Sequence, residues 1–256
     1  MARNVLGPVA AASVVLAMVA GCGSSGGAGK AAGAARSAVT ESKAASASPT
    51  ASAAASAASD SSAKPLTKAQ LTKALLDQGD LKGYGVQVAS SPDTPGIPID
   101  ADEDVCAAVS MMMLFSLSAD PEARVARTVS ATSGDTVGTA TSVLLSSYQE
   151  ADAKQGMADL KPSVEGCPDG FEVDADLKVS AVKPLDAPHA GDEAVSFRLS
   201  GGILGKDTPT AYTVVRSGST LALFFAVDMT TPKTVTVPDE VVTAQVAKLE
   251  KATAAS

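Results

Sequence analysis

Apolar residues fall at helical spacing from Leu66 onward, inside a polar frame that marks where a helix begins. Thr67 stands as N-cap with Gln70 three residues on, the spacing of a capping box, and Leu66 and Leu71 occupy staple positions. Leu75 lies one turn beyond Leu71, and Gly79 is the expected stop. A second helix is predicted from about Asp102 to Phe115. Its acids Asp102, Glu103 and Asp104 suit the positive end of a helix dipole, and Val105, Val109, Met112 and Met113 share a face. Residues 123–131 and 137–146 alternate small, β-branched and polar types, which predicts paired strands turning at Ser133-Gly134-Asp135. Ser147 and Glu150 repeat the capping-box spacing. They open a third helix with Ala153, Met157, Leu160 and Val164 on one face and Pro162 expected to kink or end it.

Beyond Cys167 the period changes to two. Strands are predicted around 171–175, 177–183, 193–199, 210–216 and 219–228, with Arg216-Ser217-Gly218-Ser219 as a hairpin turn. Thr220–Val227 is almost continuously apolar, the pattern of a central strand. A last helix follows Pro238, with Val242, Val246 and Leu249 aligned. Strands joined by short turns imply antiparallel pairing. The expected class is therefore α+β, an antiparallel β-sheet packed against helices, forming a single domain over residues 65–256.

The first third of the 256-residue chain follows a different pattern. The earliest of its eight aromatic residues is Tyr84. Arg3 and the amino terminus precede an apolar run from Val5 to Ala20, which is interrupted by Gly7 and Pro8 and too short for a comfortable membrane span. These are the proportions of a secretory signal peptide, assigned to residues 1–21. Val19-Ala20-Gly21-Cys22 has the form of a bacterial lipobox: an aliphatic residue, two small residues that fit a narrow peptidase cleft, and a Cys whose thiol accepts a diacylglyceryl group. Cys22 is thus the expected lipidation site and membrane anchor, two acyl chains sufficing for stable attachment.

Residues 22–64 then read as the lipidated Cys and a disordered linker. Of the 42 residues in 23–64, 32 are Ala, Gly or Ser, too few apolar groups to offset ordering entropy. A chain of that length reaches about 35 Å. The glycine patterns at 21–26 and 23–27 lack the flanking strand and helix of a dinucleotide site or a nucleophile elbow and are set aside.

Charge sharpens the division. Residues 1–64 carry five basic and two acidic side chains; the remainder carries 15 basic and 26 acidic, a net of −11. No basic stripe is available for a phosphate backbone, so nucleic-acid binding is not expected. After lipidation two cysteines remain, Cys106 and Cys167. In an exported protein they are expected to form a disulfide tying the second helix to the end of the third, the alternative being two buried thiols.

Three groups of segments resemble a known family: Asp80-Leu81-Lys82-Gly83-Tyr84 behind an amphipathic helix, with a Cys on the next helix and another ending the third; Gly191-Asp192-Glu193-Ala194 entering a strand; and Val214-Val215-Arg216-Ser217-Gly218 leading into an apolar strand. Their order is similar to that in actinobacterial surface lipoproteins related to the extracellular sensor domain of the PknH serine/threonine kinase. The resemblance implies an antiparallel sheet against helices, outside the membrane, presenting a cleft for a ligand or partner. It implies no catalysis.

Other candidates reduce to structural roles. His189 lies in a loop composition with no nucleophile marked beside it. Asp100, Asp102 and Asp104 begin like a calcium loop, but Val105 and Met111 stand where Gly and Glu are required, so no metal is assigned. Gly201–Lys206 lacks the spacing and the hydroxyl of a phosphate loop and reads as a hairpin. Met111-Met112-Met113-Leu114-Phe115 cannot all share one helix face; burial between sheet and helix is expected, an apolar groove being the alternative. The functional expectation is a membrane-anchored extracytoplasmic lipoprotein with a non-enzymatic, sensor-like binding domain and no cofactor. Its partner would be a small molecule, a lipid or an envelope protein. The alternatives are a cell-envelope hydrolase and an envelope assembly factor.

Overall fold

The β-branched and apolar segments from Tyr84 onward pair into one eight-stranded antiparallel sheet. The structure, a computed structural model, describes residues 64–89, 101, 104–174, 177–201, 209–230 and 234–254. Helix α1 spans Lys68–Ala74 and is followed by strands β1 (Tyr84–Val88), β2 (Ala123–Ala131) and β3 (Thr139–Ser147), with helix α2 (Ala107–Met113) between β1 and β2. Helix α3 (Glu150–Gly166) leads to β4 (Phe171–Asp174), β5 (Leu177–Leu185), β6 (Glu193–Gly201), β7 (Thr210–Ser217) and β8 (Thr220–Asp228), and α4 (Asp239–Thr253) closes the order.

Spatially the strands run β1-β2-β3-β8-β7-β6-β5-β4. Two meanders are therefore joined by α3, and the second returns so that β8 lies against β3 (Val143↔Phe224). This central place is the one the apolar run Thr220–Val227 predicts. The class is α+β, with helices on both faces. Alternation along β8 sends Ala222, Phe224 and Ala226 to a core with α1 and α4, and Leu221 and Leu223 to a second core with α2 and α3. Each apolar face needs its own cover, which explains why the helices divide two and two.

Several local expectations are corrected. The helix containing the methionines starts as a 3-10 turn at Asp104–Cys106, is α-helical only to Met113, and does not reach Phe115. The Leu114 and Phe115 amides tighten onto Met111 and Met112 carbonyls, and Phe115 takes a left-handed φ of 58°. Ser147 does not cap α3. It stays in β3, paired with Thr220, and its hydroxyl donates to the Leu66 carbonyl at 2.7 Å; the N-cap is Gln149. Pro162 does not end α3, which runs on to Gly166. Both Pro162 and Ala158, whose carbonyl loses its donor, are exposed, so water can serve that acceptor. Helix α1 stops at Ala74, before Gly79, which instead supplies a turn at φ 97°. Strand β1 is not among the strands that the sequence predicts.

Candidate functional site

A large concavity lies between α1 and α4, and both helices are placed by strong local signals. At α1 the Thr67 amide donates to Gln70 Oε1 (2.9 Å) and the Gln70 amide to Thr67 Oγ1 (3.4 Å), a completed capping box. Seven residues are too few for a helix to persist alone. Leu71, Ala74, Leu75 and Leu76 are all buried, and the end of the helix is held by α4: Gln245 Oε1 accepts the Leu76 amide (3.0 Å) while its Nε2 donates to the Ala74 carbonyl (2.7 Å). In α4, Asp239 and Glu240 occupy the first turn and Val242, Val246 and Leu249 are buried in the sheet-facing core.

What remains between the helices is an open groove of about 980 Å³, lined by Gln70, Lys73, Leu76 and Asp80 on one side and by Ala244, Ala247, Lys248, Lys251 and Ala252 on the other. Alanines on the α4 wall leave the space that larger side chains would fill. Lys248 Nζ donates to Asp80 Oδ2 at 2.6 Å and lies 3.4 Å from Asp77 Oδ2. The Lys248 hydrogen bond, and next the Asp77 amide, hold the Asp80 carboxyl below its usual value. Lys73 and Lys251 have no ion-pair partner among the described residues. The groove's chemistry is thus cationic over an aliphatic floor.

Gln70 also lines a second concavity of about 670 Å³, with Lys64, Pro65, Leu66, Thr67, Ser217, Gly218, Ser219 and Thr253. Gln70 is the residue that the two linings share. The β7–β8 hairpin that forms one wall is fixed by Arg216, whose side chain is 10% exposed. Its Nη1 donates to Asp192 Oδ2 (2.7 Å) and the Gly218 carbonyl (3.1 Å), its Nε bonds to Glu193, and Asp192 Oδ2 also accepts the Gly218 amide (2.8 Å). Segments 191–194 and 214–218 meet here as the paired ends of β6 and β7. Gly191 is needed at that meeting: at φ 63°, a Cβ would lie 2.4 Å from the Arg216 carbonyl oxygen.

The remaining candidates are dispersed. Cys106 and Cys167 are bonded, with a Cα–Cα distance of 5.4 Å, and pin the start of α2 to the end of α3 on the face opposite the groove. Cys22 and the whole of residues 1–63 lie outside the described residues. His189 is exposed in the β5–β6 loop. Asp104 is exposed in the 3-10 turn, while Asp100 and Asp102 lie outside the described residues. Gly201 ends β6, residues 202–208 are not described, and β6 and β7 pair as a hairpin.

The methionine string divides. Met112 and Met113 are buried, whereas Met111, Leu114 and Phe115 are partly exposed, and Phe115 packs edge-on against Phe225 at 5.8 Å. The string is therefore not fully buried, and the space lined by Met112 and Phe115 is about 10 Å³. Among the described residues no group of three or more His, Cys, Asp or Glu is placed to hold a metal ion. The α1–α4 groove was not identified from the sequence. Its one local trace is the stripe Ala244, Ala247, Lys248, Lys251 at helical spacing.

The fold is similar to that of the extracellular domain of PknH from Mycobacterium tuberculosis. The match has a TM-score of 0.46 and 10% sequence identity, and covers 76% of this chain and 100% of that one. An uncharacterized Mycobacterium smegmatis protein, the Rv0999 ortholog, matches with a TM-score of 0.37 and 11% identity over 71% of this chain and 94% of its own. No family model matches the chain, and no curated protein does. At such identities no residue role is carried across.

Proposed function

We propose that the protein is a lipid-anchored, extracytoplasmic lipoprotein whose folded domain is a non-enzymatic binding module, with the α1–α4 groove as its binding surface. The observation that carries this reading is the groove itself: about 980 Å³ of open space with three lysines and a single carboxylate in its lining. Such a lining recognises negative charge. The lipobox ending at Cys22 and the Ala/Gly/Ser linker support the anchor, and the Cys106–Cys167 bond fits an oxidising compartment.

A hydrolase would need an acid and a base with separated proton affinities. Asp77 and Asp80 do converge on Lys248, but Asp80 is pushed down, the wrong direction for a general acid at neutral pH. Electrostatic recognition suits these groups better than proton transfer.

Labelled palmitate fed to producing cells should enter the wild-type chain and not Cys22→Ser, and the variant should leave the membrane fraction. Native mass spectrometry of the detergent-extracted protein should reveal a bound non-protein species. Unlabelled wild-type protein would overturn the anchor, and turnover of envelope polymers abolished by Asp80→Asn would overturn the non-enzymatic assignment.

A further inference from the structure

We propose that the α1–α4 groove docks on the phosphate headgroup of an anionic membrane phospholipid, orienting the tethered domain against the bilayer. The inference deepens the reading above and rests on the groove being the binding surface of an anchored module. Charge comes first. Over residues 65–256 acidic side chains outnumber basic ones by 26 to 15, yet Lys73, Lys248 and Lys251 line one groove. Lys248 is taken up by Asp77 and Asp80, which leaves Lys73 and Lys251, both exposed, to meet an external anion.

The floor narrows the ligand class further. Leu76, Ala244, Ala247 and Ala252 are aliphatic and no aromatic ring lines the groove, so it offers no stacking platform for a base or a sugar. Glycerol and the first acyl carbons of a lipid need only such a surface.

Position favours the membrane as the source. Gln70, on the groove wall, also lines the concavity that holds Lys64 and Pro65, where the linker joins the domain. A linker reaching about 35 Å keeps the domain within range of headgroups at high effective concentration. Two unpaired lysines give weak binding, enough to orient a domain that is already anchored.

The test uses the chain from residue 22 onward carrying Cys22→Ser, which has neither leader nor acyl group. It is sedimented with vesicles of phosphatidylcholine containing phosphatidylglycerol, and with vesicles of phosphatidylcholine alone. Binding is expected only to the first, weakening as salt is raised. Lys73→Glu/Lys251→Glu should lower the partition coefficient at least about 30-fold. Lys154→Glu/Lys161→Glu, on α3 across the sheet, should retain it. Thermal melts check folding, and Lys73→Gln/Lys251→Gln replaces the reversal if that variant unfolds.

Equal sedimentation with both vesicles, none with either, or equal loss in the α3 control would overturn the proposal. Displacement by inorganic phosphate at constant ionic strength would also overturn it, pointing to a soluble phosphate compound. Failure here with palmitate labelling and a co-purified ligand intact would remove the headgroup assignment alone.

Discussion

Gln245 has no exposed surface, and both ends of its amide are spent on the backbone where α1 stops. Gln245→Leu keeps the volume but strands a buried N–H and a buried C=O. The expected loss is about 2–4 kcal/mol, read as a lower urea midpoint with an unchanged slope. The three tyrosines make a second residue-scale prediction. Burial is the leading cause in each case: it raises Tyr84, Tyr148 and Tyr212 above the usual 10.0, Tyr212 the furthest, within its stack on Phe197. A raised value means that the stabilising contribution is complete below pH 10 and is lost as pH climbs through the folded-state values. Tyrosinate absorbance should therefore lag behind that of free tyrosine on alkaline titration, with the Tyr212 signal arriving only with unfolding. A full early signal from all three would contradict the packing.

Among the elements, success and failure of the sequence reading turn on how local each cause is. Thr67 and Gln70 form their box because both partners lie within one turn. Ser147 and Glu150 have the same spacing, but pairing with Thr220 holds Ser147 in the sheet, a contact no window of sequence contains. Pro162 is tolerated because of the face on which it sits. The groove was illegible for a related reason: Lys73 on α1 and Lys248 and Lys251 on α4 come from opposite ends of the domain and meet only after the sheet has formed.

Helix α2 shows the same dependence energetically. It has seven residues, its N-cap residue Cys106 makes no side-chain cap bond, and the disulfide spanning 61 residues ties it to α3. Reduction, or Cys106→Ser/Cys167→Ser, should lower stability by about 4 kcal/mol in the chain-entropy model. Denaturation with and without reductant checks this, and an unchanged midpoint would show that α2 holds by packing alone.

For the molecule as a whole, strand order decides where stability concentrates. β3, β8 and β7 are paired on both sides and covered on both faces, while β1 and β4 form the edges. The open edge of β1 is partly closed by Gln78, whose Oε1 accepts the Val86 amide at 3.0 Å. Native-state hydrogen exchange should be slowest in β3, β7 and β8 and fastest in β4, with Val86 more protected than an edge position would suggest. Fast exchange throughout β8 would be incompatible with this order. Sequence periodicity could name the central strand but not its neighbour, since the β3–β8 pairing spans a helix and four strands.

Lys64 and Thr253 line the same concavity although nearly the whole domain separates them in sequence. The two ends of the domain therefore leave from one side, the geometry that permits circular permutation or insertion into a host loop. A short peptide joining residues 253 and 64, with new termini opened in the 132–138 turn, would leave every strand pairing of the sheet in place.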